Sequence, residues 1–136
     1  MTRLVRASGT KAAVVEAAKG VKARRESGGG HSHGHSHGHS HGHSHGGVDP
    51  HAWQDVANAK IYVANIRDAL VAADPAGREV YTAAAAAYLA ELDALDKEIR
   101  AAVSAIPAGR RRIITGHDSF GYFEAAYGLD FVSPQG

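Results

Sequence analysis

Ten of the 136 residues are histidine and none is cysteine, so any metal ion this chain holds must be held by imidazoles and carboxylates. The same count excludes disulfides, thiolate zinc sites, iron–sulfur clusters and cysteine nucleophiles. Eight of the ten, His31, His33, His35, His37, His39, His41, His43 and His45, alternate with Ser or Gly inside a stretch, residues 27–47, that contains nothing else. Neutral imidazole is a good ligand for Zn2+, Cu2+, Ni2+ and Co2+ above its ordinary pKa of about 6.5. Such a tract offers many equivalent coordination sets and no preformed one, which predicts weak binding of several ions in fast exchange. A purification tag or an idle repeat expansion has a similar composition. A tag is ordinarily terminal and homopolymeric, whereas this tract is internal and interrupted, so metal handling is the stronger reading.

The other two histidines, His51 and His117, stand apart from the repeat. His51 opens a helical pattern. His117 lies two residues past a β-branched run, and ligands of doubly wound sheets gather beyond the carboxyl ends of strands. By residue type alone a lone histidine is more often an ordinary polar residue than a ligand. Two imidazoles supply half of a tetrahedral zinc shell, leaving Asp49, Asp55, Asp118, Glu124 or groups outside the chain to complete it.

The elements that must position these residues follow from periodicity. Leu4 and Val5 before Ser8-Gly9 predict the last turn of a helix and its stop, and residues 12–17 read as a short buried strand. From Ser27 the composition cannot offset chain entropy, which predicts a solvent-mobile loop over residues 27–47. Asp55 is the expected N-cap of a helix whose apolar residues Val56, Ala59, Val63, Ile66, Leu70 and Ala73 step by three and four. Asp74-Pro75 reads as a second cap with proline at the first helical position. The stripe Tyr81, Tyr88, Leu92, Leu95, Ile99, Val103 and Ile106 then makes one long helix. Its outer face pairs Asp93 with Lys97 and Asp96 with Arg100 at i,i+4. Beyond Pro107, a strand Arg112-Ile113-Ile114-Thr115, a short helix over residues 120–127 stopped by Gly128, and a strand Asp130-Phe131-Val132-Ser133 form a βαβ unit. The fold class is therefore α/β with parallel strands.

Composition closes off other classes. The apolar share is 44%, but 27 of those residues are alanine, so core-filling side chains suffice for about one domain. No apolar run approaches the roughly 20 residues needed to cross a bilayer, so no transmembrane segment is expected. Residues 1–26 carry seven basic and two acidic side chains, leaving eight and twelve for the rest. That basic end has no interleaved aromatics on which bases could stack, so it reads as a solvated face and no nucleic-acid partner is expected. Arg3, Arg6, Lys11 and Glu16 interrupt any apolar core of a secretory signal, so the chain as written is expected to lack one.

Asp49-Pro50-His51-Ala52-Trp53 after a His-rich loop, the long helix, and Thr115-Gly116-His117-Asp118-Ser119-Phe120-Gly121-Tyr122-Phe123 followed by Tyr127-Gly128-Leu129 resemble the metal-binding lipoproteins and zinc-binding solute-binding proteins that deliver Zn2+ or Mn2+ to ABC importers. The match covers nearly the whole chain. The resemblance implies two α/β lobes joined by a rigid helix with the metal between them, Zn2+ as the transported ligand, an ABC importer permease as partner, and a periplasmic or cell-surface location. His51, matching the DPHxW motif, and His117, matching HDxFxYF, are implied as ligands, with the tract as a low-affinity loop. Manganese-selective members resemble this motif with a carboxylate in place of His117. The resemblance also implies that the family's first histidine ligand, and its carboxylate ligand or open position, fall outside residues 1–136, and Gly116 stands where Ser is frequent. The expected division is the end of an N-terminal lobe (1–26), the His-rich loop (27–47), the last helix of that lobe (48–73), the linking helix (74–106) and the start of a C-terminal lobe (107–136), a middle portion lacking both ends.

Three functions were weighed on these residues. A substrate-binding component performs no chemistry and captures zinc at His51 and His117. A cytoplasmic His-rich metal storage or chaperone protein would place all function in the tract. A zinc hydrolase would need an HExxH-like helix with two ligands, and none occurs.

Overall fold

The computed structural model describes residues 2–25 and 47–133. The tract histidines, and the mobile loop expected for them, lie outside the described residues. Helix α1 (Thr2–Ala7) ends as the sequence predicts, with the Ser8 hydroxyl donating to the Val5 carbonyl at 2.7 Å and Gly9 at φ 64°.

Residues 12–17 are not a strand. They run as exposed irregular chain, with Val14 68% exposed, and are tied to the fold by Asn65, whose side-chain amide donates to the carbonyls of Ala17 (2.7 Å) and Lys19 (2.9 Å). A strand is stabilised by the ladder beside it, and the two named strands of the described chain pair only with each other.

Helix α2 (Val56–Ala73) starts where the Asp55 carboxylate accepts the Ala57 N–H at 2.9 Å. Helix α3 (Arg78–Ser104) has 27 residues, roughly 40 Å of continuous rod, and folds back along α2. Asp74 stands at the expected cap position with Pro75 directly after it, but without a side-chain cap bond. Pro75–Gly77 forms a 3-10 turn in which the Asp74 side chain caps nothing and instead accepts the Tyr81 hydroxyl at 2.8 Å. Gly77 is required beneath that ring, since a Cβ there would stand 2.6 Å from Tyr81 Cε2. Asp93 also departs from expectation, pairing with Lys60 of α2 rather than with Lys97 along its own helix. An ion pair that joins two packed helices competes directly with one along the surface of either.

Strands β1 (Arg112–Ile114) and β2 (Asp130–Val132) are parallel, with Ile113 opposite Phe131, and are connected through helix α4 (Gly121–Tyr127). Gly128 ends α4 in the left-handed conformation at φ 78°, as the sequence predicts. The core is one cluster: Val56 of α2, Leu92 and Val103 of α3, and Tyr127 and Leu129 at the end of α4. Among the described residues no helix is long and apolar enough to cross a membrane.

A polar lock joins these helices. The Tyr127 hydroxyl donates to Asp96 Oδ1 (3.1 Å) and accepts the Val56 N–H (3.3 Å), while Arg100 grips Asp96 at 2.8 and 3.2 Å. The Arg100 hydrogen bond, with a smaller contribution from Tyr127, holds the Asp96 carboxyl below the usual carboxylate range. A carboxyl depressed in the folded state stabilises the fold at neutral pH, and that stabilisation is lost as pH falls through its folded pKa. We therefore expect Asp96→Asn to cost about 1 kcal/mol at pH 7, with the difference from the parent shrinking below about pH 4. Urea unfolding at pH 7 and pH 3 reads this, and a difference that stays constant with pH would show that the charge is not the source.

Candidate metal centre

The site begins with a turn. Asp49 Oδ1 accepts the backbone N–H of His51 at 2.9 Å, closing a loop over Pro50, and the same oxygen lies 2.7 Å from His51 Nδ1. Asp49 is 7% exposed, and its own N–H donates to the Arg24 carbonyl at 2.9 Å. Against a carboxylate that accepts, a neutral His51 ring would carry its hydrogen on Nδ1 and its lone pair on Nε2. A 3-10 turn, Ala52–Gln54, follows His51 and leads into α2. His51 is thus half-buried and held by its own turn.

His117 arrives from the other direction, in the exposed turn after β1, where the Thr115 hydroxyl donates to its carbonyl at 3.2 Å. The fold places the two imidazoles side by side, with ring centroids 5.7 Å apart and planes 83° to each other. Two imidazoles on one tetrahedral Zn2+, with Zn–N bonds of about 2.0–2.1 Å, place their centroids roughly 5 Å apart, so the pair fits two neighbouring positions of one ion. The separation also suits an edge-to-face ring contact without metal, so a test must read the ion itself.

The other proposed ligands do not gather. Among the described residues no group of three or more His, Asp or Glu could hold a metal ion. Asp55 is committed to capping α2, and Asp49 to His51. Asp118 and Glu124 do not join the pair in such a group. The described chain therefore presents half a zinc shell. The eight tract histidines lie outside the described residues, but their point of attachment does not. Arg25 and Val48, the latter three residues before His51, form an antiparallel bridge.

Two features escaped the sequence reading. Asp49 is one of the groups the sequence offers to complete a shell, whereas in the structure its carboxylate engages the His51 ring; the available signal is the Asp-x-His spacing that an Asx turn closes. Tyr122 was read as part of an amphipathic helix, yet its hydroxyl accepts the Arg24 N–H at 2.7 Å and so pins the segment that carries Asp49.

Comparison with known proteins shows what the chain is similar to. A manganese-binding lipoprotein, MntA, of Halalkalibacterium halodurans is 48% identical over 86 residues, which are 63% of this chain and 29% of that protein. The iron-binding protein YfeA of Yersinia pestis is 44% identical over 84 residues, 62% of this chain and 27% of that protein. The crystal structure of a zinc-bound ZnuA deletion mutant superimposes with a TM-score of 0.80 at 25% identity, covering 98% of this chain and 45% of that one. The chain thus spans less than half the length of the relatives it matches, and its long helix belongs to a two-lobe architecture. The family model described as zinc-uptake complex component A, periplasmic, matches residues 1–136, and the chain belongs to that family of metal-binding solute-binding proteins, which are not enzymes.

Proposed function

We propose that this chain takes part in capturing Zn2+ as the substrate-binding component of a zinc ABC importer, in the periplasm or at the cell surface, and in delivering the ion to the importer's permease. In this reading His51 and His117 contribute two nitrogen ligands to the cargo ion. The remaining positions of its shell fall to groups outside the described residues. The tract, attached beside His51, collects zinc with low affinity. The observation that carries the reading is the convergence of the two lone histidines, remote in sequence, to a ring separation of 5.7 Å.

The relatives are named for manganese, iron and zinc, so the choice of metal rests on the site. Position 117 offers an imidazole nitrogen, which favours Zn2+ over the harder Mn2+. The test is a Zn2+ titration of the full chain with its eight tract histidines changed to Ser, following the ring signals of both remaining histidines by NMR. We expect both to shift together with one midpoint at one ion per chain; independent midpoints would sink the reading. In the same background, His117→Glu should lower the ratio of zinc to manganese affinity about tenfold. An unchanged ratio would mean that metal choice is made elsewhere.

A further inference from the structure

We propose that Asp49 is a positioning residue of the metal centre: its carboxylate fixes the His51 ring in the Nδ1–H tautomer and leaves Nε2 as the only nitrogen able to ligate. The inference rests on reading His51 and His117 as ligands. It stands on how the carboxylate is itself held. Asp49 is 7% exposed, one of few buried polar residues among those described, and its Oδ1 engages His51 twice, through the backbone N–H and through the ring. Its backbone N–H is fixed by the Arg24 carbonyl, and the Arg24 N–H is fixed in turn by the hydroxyl of Tyr122, itself 4% exposed. The second oxygen lies against the start of α4, where a Cβ on Gly121 would stand 3.4 Å from Oδ2. The segment before the tract, the turn before α2 and the first residue of α4 therefore all converge on one carboxylate.

A histidine with its second nitrogen hydrogen-bonded in this way ligates with a set tautomer and a set ring direction, and loss of such a partner ordinarily costs 10–100-fold in metal affinity. Asp49 thereby couples His51 to the element that follows His117, since α4 begins four residues after it.

The experiment uses the full chain with the tract histidines changed to Ser, and the probe is Zn2+ alone. Three variants are compared: Asp49→Ala, Asp49→Asn and His51→Ala. Asp49→Asn keeps an oxygen that accepts the ring N–H, so it should stay within about fivefold of the parent, while Asp49→Ala should weaken zinc binding by about tenfold or more. The 15N shifts of the His51 ring in the metal-free protein should report the Nδ1–H tautomer in the parent and in Asp49→Asn, and its loss in Asp49→Ala. A purely structural role would not move that signature. Equal zinc affinity in Asp49→Ala and the parent, or an Nε2–H tautomer in the metal-free parent, would overturn the proposal. Should Asp49→Ala fail to fold by circular dichroism, the tautomer in the parent and in Asp49→Asn decides. If His51→Ala leaves zinc affinity unchanged, it is the metal-ligand reading that fails, and the positioning role for zinc falls with it.

Discussion

Changing His31, His33, His35, His37, His39, His41, His43 and His45 together to Ser will remove most of the zinc this chain binds. The expectation follows from counting ligands. Eight imidazoles at two to four per ion accommodate roughly two to four zinc ions, whereas His51 and His117 together accommodate one. Isothermal titration of the parent should show several equivalents bound weakly, and the Ser variant a single remaining event. Because the repeat offers many equivalent coordination sets, nickel and copper should displace its zinc readily, in the order set by intrinsic ligand preference. Zinc stoichiometry that survives the substitution unchanged would remove the tract from metal handling altogether.

The second large effect is expected at the paired histidines. In the chain without tract histidines, His51→Ala or His117→Ala should weaken the remaining zinc event by about a hundredfold, and the double variant should weaken it little further. The reason is chelation: two nitrogens held in place share one ion, so deleting either forfeits both the bond and the advantage of the preformed pair. A double-variant loss equal to the two single losses added as free energies would show that the two histidines act on the ion without chelate coupling, against this expectation. A tight 1:1 site that persists in the Ser variant and vanishes in the double Ala variant would have a further meaning. The chain would then complete its zinc shell with its own carboxylates or with a second copy, against the half shell that the described residues present.

Much of the architecture was legible because it is written in local terms. The three-and-four spacing from Val56 marks α2, and the Asp55 cap and Gly128 stop act on backbone groups within a few residues of themselves. The β-branched run at Arg112-Ile113-Ile114 and the aromatic run at Asp130-Phe131-Val132 form the predicted parallel pair. Periodicity names an apolar face but not what covers it. Of the long stripe on α3, Leu92 and Val103 are buried where Tyr127 and Leu129 pack, while Tyr88 remains 52% exposed and Leu95 42% exposed. Residues 12–17 failed for the same reason, since a β-branched pair among alanines becomes a strand only when another strand offers it a ladder.

The candidate site divides along the same line. By itself, the sequence determined which donor groups are available: no thiolate, a tract of alternating imidazoles, and two isolated histidines set in turns at the ends of elements. Only the tertiary structure decided that His51 and His117 stand together, and that the Asp49 carboxylate lies against the His51 ring. Residue type and spacing fix what a side chain can bond to within its own turn. Whether two turns remote in sequence meet depends on α2, α3 and the parallel strands packing around a shared core, a sum of many contacts that no local pattern contains.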